Sequence, residues 1–402
     1  MKLDAAIIGA GPSGAWAAYL LAQQGARVRL FDPSHPREKP CGGGVTGRAL
    51  AVVSRALSAA DFPTVRIRTA RFVDTAARGE DTAPTSESGH GSAILLAADA
   101  LVVASRAAFD GALLAAACRA GAELVAARVR QLGGHAGAFQ IETADGGQHT
   151  ASHLVGADGA NSFVRRTLAS AFRRDQLSIA TGFFAHGITS DEIVIELMCD
   201  PPGYLWSFPR PDHLAIGICA QADAGVDAAA LRSRVRDWIG RVGFTGYSRV
   251  EPYSWPIPSL SGADFETLDV SREGWYLLGD AAGLVDPITR EGIYFALQSA
   301  QYAADALLGG STRASHDYAD RVRTEIVEDL VRAARIKAAF FRPRFSRLLV
   351  SALAESEPIR EVMADLVAGT QSYRTLRWRL AKTMEVGVAW RFVRSLWSGL
   401  DR

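Results

Sequence analysis

Residues 1–14 read Met-Lys-Leu-Asp-Ala-Ala-Ile-Ile-Gly-Ala-Gly-Pro-Ser-Gly, and the parsing of this stretch decides the fold. The apolar run 5–8 reads as a buried strand. Gly9 makes a tight turn, Gly11 lets the backbone approach a pyrophosphate, and Gly14 lets the following helix pack on the strand. Pro12 and Ser13 complete that loop. Residues 15–24 are apolar at helical spacing, so the helix presents its N-terminal amides to the phosphates. Gly25 ends the helix, and Val28, Leu30 and Phe31 form a second strand that runs into Asp32. A carboxylate at this distance accepts a ribose 2′-hydroxyl and repels a 2′-phosphate, so the tightly held nucleotide is FAD or NAD rather than NADP. A bare glycine pattern would say little; strand, glycines, helix, second strand and acid in that order say much. Gly42, Gly44 and Gly47 show the contrast. They repeat the spacing but follow Lys39-Pro40-Cys41 instead of an apolar strand, so they mark a glycine-rich loop with another task.

The bulk properties narrow the field. A chain of 402 residues buries a large core and divides into two or three domains. Its 44 Lys and Arg against 43 Asp and Glu leave a net charge of +1, which argues against nucleic acid as the main partner. No apolar run reaches the length of a transmembrane helix. The first strand starts within a few residues of Met1 and leaves no room for a signal peptide, so the expectation is a cytoplasmic protein with reduced thiols. Cys41, Cys118, Cys199 and Cys219 are scattered, and neither they nor the eight histidines show metal-ligand spacing. No metal is expected.

Along the chain, helices are expected over 48–57 and 104–120 and strands over 65–72, 122–129, 154–157 and 274–278. A hairpin turns at Asp145-Gly146-Gly147, and residues 76–91 read as a mobile hairpin or loop. Residues 175–270 are strand-rich with Pro and Gly turns. From residue 315 the pattern is helical, with Val322, Ile326 and Leu330 recurring four apart and breaks at Pro343, Pro358 and Gly369.

Within the strand-rich half, residues 201–209 read Pro-Pro-Gly-Tyr-Leu-Trp-Ser-Phe-Pro. Side chains alternate along a strand, so Tyr204, Trp206 and Phe208 share one face while Leu205 and Ser207 take the other. Three aromatics in a row make a broad apolar wall with two polar handles, suited to a hydrocarbon chain; ordinary sheet core is the other reading. Two further segments, Gly-Ala-Asp-Gly-Ala-Asn-Ser at 156–162 and Gly-Asp-Ala-Ala-Gly-Leu-Val-Asp-Pro at 279–287, each put an Asp just after a short apolar strand. Asp158 and Asp280 there are ligand contacts or simply turn formers and helix caps.

Together with the N-terminal fingerprint, these segments resemble the three-motif signature of flavoproteins with the p-hydroxybenzoate hydroxylase fold. The 201–209 stretch and the loop Cys41-Gly42-Gly43-Gly44 resemble the geranylgeranyl reductase family, over residues 1 to about 300 and more loosely through Gly369 and Tyr373. The resemblance implies an α/β fold. Its Rossmann-like FAD-binding domain spans 1–60, 96–172 and 268–314, its β-sheet substrate domain 61–95 and 173–267, and its C-terminal helical region 315–402. It implies that Gly9, Gly11, Pro12, Ser13, Gly14, Asp32, Cys41, Gly42, Gly43, Arg106, Asp158, Gly159, Asp280, Gly292 and Ile293 hold FAD. Asp280 bonds the ribityl chain, and Asp158-Gly159 lies near the flavin and a passing NAD(P)H. Arg106 is either the family's arginine beside FAD or a solvated arginine at a helix start.

The resemblance implies reduction of isolated C=C bonds in a polyprenyl lipid or prenyl-bearing small molecule. Hydride would come from reduced flavin, which NAD(P)H or another donor recharges, with Tyr204, Trp206, Phe208 and Arg290 on the substrate. Cys41 permits close packing against the flavin ring or, with Tyr204, is a candidate proton donor. A helix beginning at 290–293 would stabilise negative charge on reduced flavin. Family members commonly have a small residue where Arg290 stands; here the cation strengthens that effect, bonds Glu291, or meets a substrate head group. Two rivals remain: a flavin monooxygenase or halogenase on the same fold, and a non-catalytic isoprenoid carrier. Hydroxylases of the fold usually carry His at the place of Gly283, and halogenases a Trp-x-Trp-x-Ile-Pro pattern. Finally, residues 371–402 hold seven basic residues against two acids, with Trp378, Trp390 and Trp397 interleaved. That composition suits either an interfacial helix touching a membrane or a helical cap packed on the protein.

Overall fold

The computed structural model describes residues 2–74 and 91–383. The fingerprint strand Leu3–Ile8 is the middle of an eight-stranded sheet, flanked in parallel by Val28–Phe31 and Gln148–Gly156. Glu123–Val125 and Trp275–Leu277 extend it in parallel on the two sides. The ligand-facing ends of these strands therefore carry Gly9, Asp32, Asp158 and Asp280 along one edge. Small residues decide the packing above that sheet. Helix Pro12–Gln23 is almost wholly buried, with Ala15, Ala17 and Ala18 facing neighbours at close range, and it packs between helices Arg106–Arg119 and Ile293–Leu308.

The second, seven-stranded sheet runs in the order Arg249–Pro258, Leu177–His186, His213–Gln221, Pro202–Pro209, Glu192–Cys199, Thr69–Val73 and Gly91–Leu95. The alternation expected for the aromatic strand holds. Leu205 joins the cluster capped by helix Ala228–Val242, with Val235 and Trp238, while Tyr204, Trp206 and Phe208 pack on the opposite face. The helices from Glu328 to Lys382 lie over that second face and bury Phe340, Leu349, Val362 and Leu366 against it.

Several local expectations need correction. Residues 65–72 are not one strand. Thr64–Arg66 pairs with Leu101–Ala104 in a small three-stranded sheet, and the chain then crosses at Ile67 and Arg68 to begin Thr69–Val73 in the large sheet. Val65 and Ile67 alternate in one phase and Ala70 and Phe72 in the other, so the pattern slips by one residue where the partners change. Residues 122–129 likewise divide, because Glu123–Val125 pairs with the nucleotide sheet and Val129–Gly133 with a hairpin strand. The helix expected over 48–57 is shorter, Gly47–Val53, and starts where the Thr46 hydroxyl accepts the Ala49 amide at 3.4 Å. The glycine-rich loop contributes a short strand of its own, Gly44–Thr46.

Helix Tyr373–Lys382 turns Tyr373, Leu376 and Leu380 inward and leaves Trp378 72% exposed. Arg374 pairs with Glu328 and Arg379 with Asp365, so this part of the basic tail is partly neutralised by acids of the same helical layer. Trp390, Trp397 and all of the loop expected over 76–91 but Gly91, which begins strand Gly91–Leu95, lie outside the described residues. Among the described residues, no helix is long and apolar enough to cross a membrane.

Candidate functional site

A cavity of about 740 Å³ runs from the fingerprint loop to the C-terminal helices. At its polar end Gly9 has φ +101°, and a Cβ there would stand 2.4 Å from the Ala157 carbonyl oxygen. A Cβ on Gly14 would meet the Gly9 carbonyl at 2.0 Å, whereas one on Gly11 would find only His35 Nε2, at 3.6 Å. The first and third glycines are thus needed for packing, and the second opens its face to the cavity. Helix Pro12–Gln23 has Gly11 as its N-cap with no side-chain cap, so its first amides are left for a ligand's phosphates.

Asp32 stands at the expected strand end, but both its oxygens are already engaged. Oδ2 accepts from the Ala10 amide at 3.0 Å and pairs with His35 Nδ1 at 2.7 Å; Oδ1 accepts from the amides of Ser34 and His35 and from the Ser34 hydroxyl. Burial works against ionisation, yet His35 and the amides outweigh it and hold Asp32 well below the usual carboxylate range. His35 in turn lies 3.5 Å from Asp110, which forms a two-point ion pair with Arg106 at 2.9 and 2.8 Å. Arg106 is only 4% exposed and its Nη1 lies 3.9 Å from Cys41 Sγ. The solvated reading of Arg106 is therefore excluded; its neighbours are Asp110 and Cys41.

The glycine-rich loop and the aromatic strand meet directly. Phe208 lies against Gly42 and Gly44, where Cβ atoms would approach its ring to 2.9 and 3.1 Å. Cys41 Sγ accepts the Gly43 amide at 3.1 Å, and the Cys41 carbonyl accepts Arg210 Nη2 at 2.9 Å. Arg210, fully buried, is held by Glu38 at 2.6 Å, and the same carboxylate accepts the Arg106 amide at 3.2 Å. Arg210, Glu38, Lys39 and His35 were not singled out from the sequence. Two prolines around a lone arginine after the aromatic strand were the available signal.

Tyr204 donates its hydroxyl to the Thr289 carbonyl at 2.9 Å, and burial pushes its pKa well up. Its proton is held by a fixed acceptor. Asp280 pairs with Lys39 at 2.8 Å, and a Cβ on Gly292 would stand 3.2 Å from Asp280 Oδ1. Helix Ile293–Leu308 begins at Ile293 with Gly292 as an N-cap that offers no side chain, so its free amides open beside Asp280. Asp158 accepts the Phe163 and Val164 amides through Oδ2 at 2.6 and 3.2 Å and so also acts at a helix start, while its buried Oδ1 has no partner and burial raises its pKa. Gly159 adjoins it with φ +79°. Glu291 pairs with Arg48 and accepts the Thr46 hydroxyl. Arg290 does not bond Glu291, as one expectation had it, but donates to Ser259 Oγ at 2.6 Å.

His186 and His213 are cross-strand partners, which brings them beside Asp212, a proximity that their spacing of 27 residues conceals. His213 Nδ1 is 2.7 Å from Asp212, and its Nε2 is 3.5 Å from the Arg210 guanidinium, a poor neighbour for a metal cation.

The open Gly11 face, the two uncapped helix starts and Asp158 all line one cavity, and they suit a dinucleotide with an extended polar linker. Comparison with known proteins agrees. A family model described as an FAD binding domain matches residues 2–236. The chain is 28% identical to a menaquinone reductase of Mycolicibacterium smegmatis over 94% of its own length and 96% of that protein. It is also 28% identical to a geranylgeranyl diphosphate reductase of Rhodobacter capsulatus, over 77% and 75%. Among solved structures, a geranylgeranyl bacteriochlorophyll reductase-like protein from Thermoplasma acidophilum superposes with a TM-score of 0.74 at 20% identity, covering 95% of this chain and 99% of that one. The flavin-dependent brominase Bmp2 gives 0.71 at 18% identity, with the same coverage. The chain belongs to the FAD-binding-domain family and is an FAD-dependent oxidoreductase.

Proposed function

We propose that this protein reduces isolated C=C bonds in a polyprenyl chain, with FAD as the resident cofactor and NAD(P)H or another donor as the transient reductant. One observation carries the reading. The aromatic face of Tyr204, Trp206 and Phe208 lines the same cavity as the fingerprint loop, and the apolar side chains of Ile195, Leu197, Phe340 and Leu366 line it too. FAD, when bound, supplies hydride transfer. The chain's own residues bind and orient: Gly9 to Gly14 take the phosphates, Asp280 with Lys39 and the Gly292 helix start flank the linker and ring, and Arg210 locks the Cys41 loop to the aromatic strand. An unactivated alkene demands close positioning, and the aromatic wall excludes water from it. Cys41 and Tyr204 remain the candidate proton donors. Cys41 has a fixed sulfur, and Tyr204 needs its bond to Thr289 exchanged before it can donate.

The halogenase or hydroxylase reading draws support from the brominase likeness in fold. At the position where hydroxylases of the fold usually carry His, Gly283 has φ +81°, and a Cβ would meet Leu260 at 2.9 Å. A side chain at that site requires Leu260 to shift and a left-handed backbone to be tolerated. Anaerobic incubation of dithionite-reduced protein with a panel of polyprenyl compounds tests the proposal. Mass gains of two hydrogens per bond support it, and products that form only with oxygen replace it with the monooxygenase or halogenase reading. A purified protein that is colourless yet binds prenyl lipid would instead favour a carrier. Contact with a membrane through residues 371–402 is part of the same proposal, and liposome flotation of the full chain against one ending at Thr370 tests it. Equal binding by both removes the idea.

A further inference from the structure

We infer that the distal isoprene units of the substrate leave the main cavity between Phe72 and Leu197 and lodge in a second chamber. That arrangement fits the protein for prenyl chains longer than the main cavity holds. The inference rests on the polyprenyl-reductase reading and concerns the length of chain taken. The second chamber, of about 650 Å³, lies between strand Glu192–Cys199 and helix Pro343–Glu355. Phe72 and Leu197 line both cavities, so these two side chains form the partition. Register sets that partition beside the aromatic face. Leu197 is the cross-strand partner of Tyr204 and Ile195 that of Trp206, while Phe72 pairs with Ile195 from the next strand. Neighbouring strands stand about 4.8 Å apart, so a chain lying on the aromatics reaches Leu197 one strand away and Phe72 two strands away.

The main cavity must house FAD as well as the reacting bond, so a long chain needs room beyond it. The second chamber supplies that room, with apolar walls of Val73, Met198, Leu349 and Val350. Each methylene that leaves water for such walls favours binding. The charges of the lining stand aside from them. Glu196 is turned to Trp238, whose Nε1 donates to it at 2.7 Å. Asp200 and Arg347 are exposed and Asp74 is half-buried, which places these charges toward the outer end. Phe72 belongs to the packed core, whereas Leu197 is half-buried. A change of rotamer at Leu197 therefore joins the two chambers with the strands in place. Cys199 also lines the second chamber, with its Sγ 3.9 Å from Ser346 Oγ where strand and helix meet. Its thiol reports on what fills the space.

The test uses the FAD-loaded full chain without oxygen. Labelling of Cys199 by N-ethylmaleimide is followed by peptide mass mapping in the presence of menaquinones with two, four and nine isoprene units, and of polyprenols of the same lengths. A constant head group within each series isolates the effect of the tail. The nine-unit compounds should slow Cys199 labelling about tenfold or more and the two-unit compounds less than about twofold. Cys118 lines neither cavity and should label equally throughout. Val350→Trp fills the chamber from the helix side. It should lower kcat/KM for the nine-unit substrate about tenfold or more and that for the two-unit substrate by about twofold at most. Should that variant fail to fold, labelling of the parent chain decides alone. Cys199 labelling that no tail slows, or that two units slow as much as nine, overturns the inference while prenyl turnover keeps the reductase reading. Length-dependent protection without turnover of any prenyl compound supports the chamber and sinks the reductase reading instead.

Discussion

Lys39 Nζ stands 2.8 Å from Asp280 Oδ2, joining residues 241 apart in sequence across the mouth of the nucleotide sheet. Their side chains are 18% and 15% exposed, so the pair is shielded without being sealed. Lys39 fixes the direction of the carboxylate to which the proposed function assigns the flavin's linker. Lys39→Met should raise the Kd for FAD about ten- to a hundredfold, the worth of one charged hydrogen bond. Fluorescence titration of the apoprotein with FAD measures it, and an unchanged Kd removes Lys39 from the cradle.

Gly42 is defined by the ring of Phe208. A Cβ at this position would come within 2.9 Å of Phe208 Cγ, so Gly42→Ala forces the ring or the loop to move. Overpacking of this kind costs about 1–3 kcal/mol. Thermal melts should show that loss, and Gly42→Ala combined with Phe208→Leu should recover part of it. If the double variant is no better than the sum of the two single changes, the contact between loop and strand is not what restricts residue 42.

His35 bridges two carboxylates, Asp32 at 2.7 Å and Asp110 at 3.5 Å. Burial alone would lower its pKa, but the two acids outweigh burial and raise it above the ordinary value. The stability it contributes is therefore fully present below about pH 6.5 and is lost as pH rises through the raised value. Urea unfolding of the apoprotein at about pH 6 and about pH 9 should show that decline, and His35→Gln should flatten it. A variant with the same slope as the parent would assign the decline to other groups.

Tyr373 ties the C-terminal helices to the loop carrying Arg290, because its hydroxyl donates to Asp286 at 2.9 Å in a buried setting. Burial raises the pKa of Asp286, and no cation pairs with it among the described residues. Tyr373→Phe leaves one buried acceptor unsatisfied, and a loss of about 1–3 kcal/mol is expected in chemical denaturation. A loss below a few tenths would show that water replaces the hydroxyl.

Residues 1–32 and 201–209 made the fold legible because each couples a period to a punctuation: glycines after an apolar run, prolines around alternating aromatics. The meeting of Phe208 with Gly42 was not legible, since no local pattern states which loop a strand will touch. The ion pairs of Lys39, Glu38 and Arg210 were not legible, because each joins segments far apart and involves residue types common on surfaces. Arg290 was visible as an unusual residue. Its partners were not, since Ser259 and Lys337 approach it from a strand end and from a helix of the C-terminal layer.

The central claim is that electrons on the flavin pass to a prenyl double bond held against the Tyr204 to Phe208 face. Its most direct test is to mix photoreduced protein with a polyprenyl substrate under strict anaerobiosis and follow the return of the yellow oxidised-flavin absorbance. The account predicts reoxidation at a rate that depends on substrate concentration, with one saturated bond formed per flavin, and marked slowing in Trp206→Ala. Flavin that stays reduced until air is admitted, whatever prenyl compound is present, would contradict it.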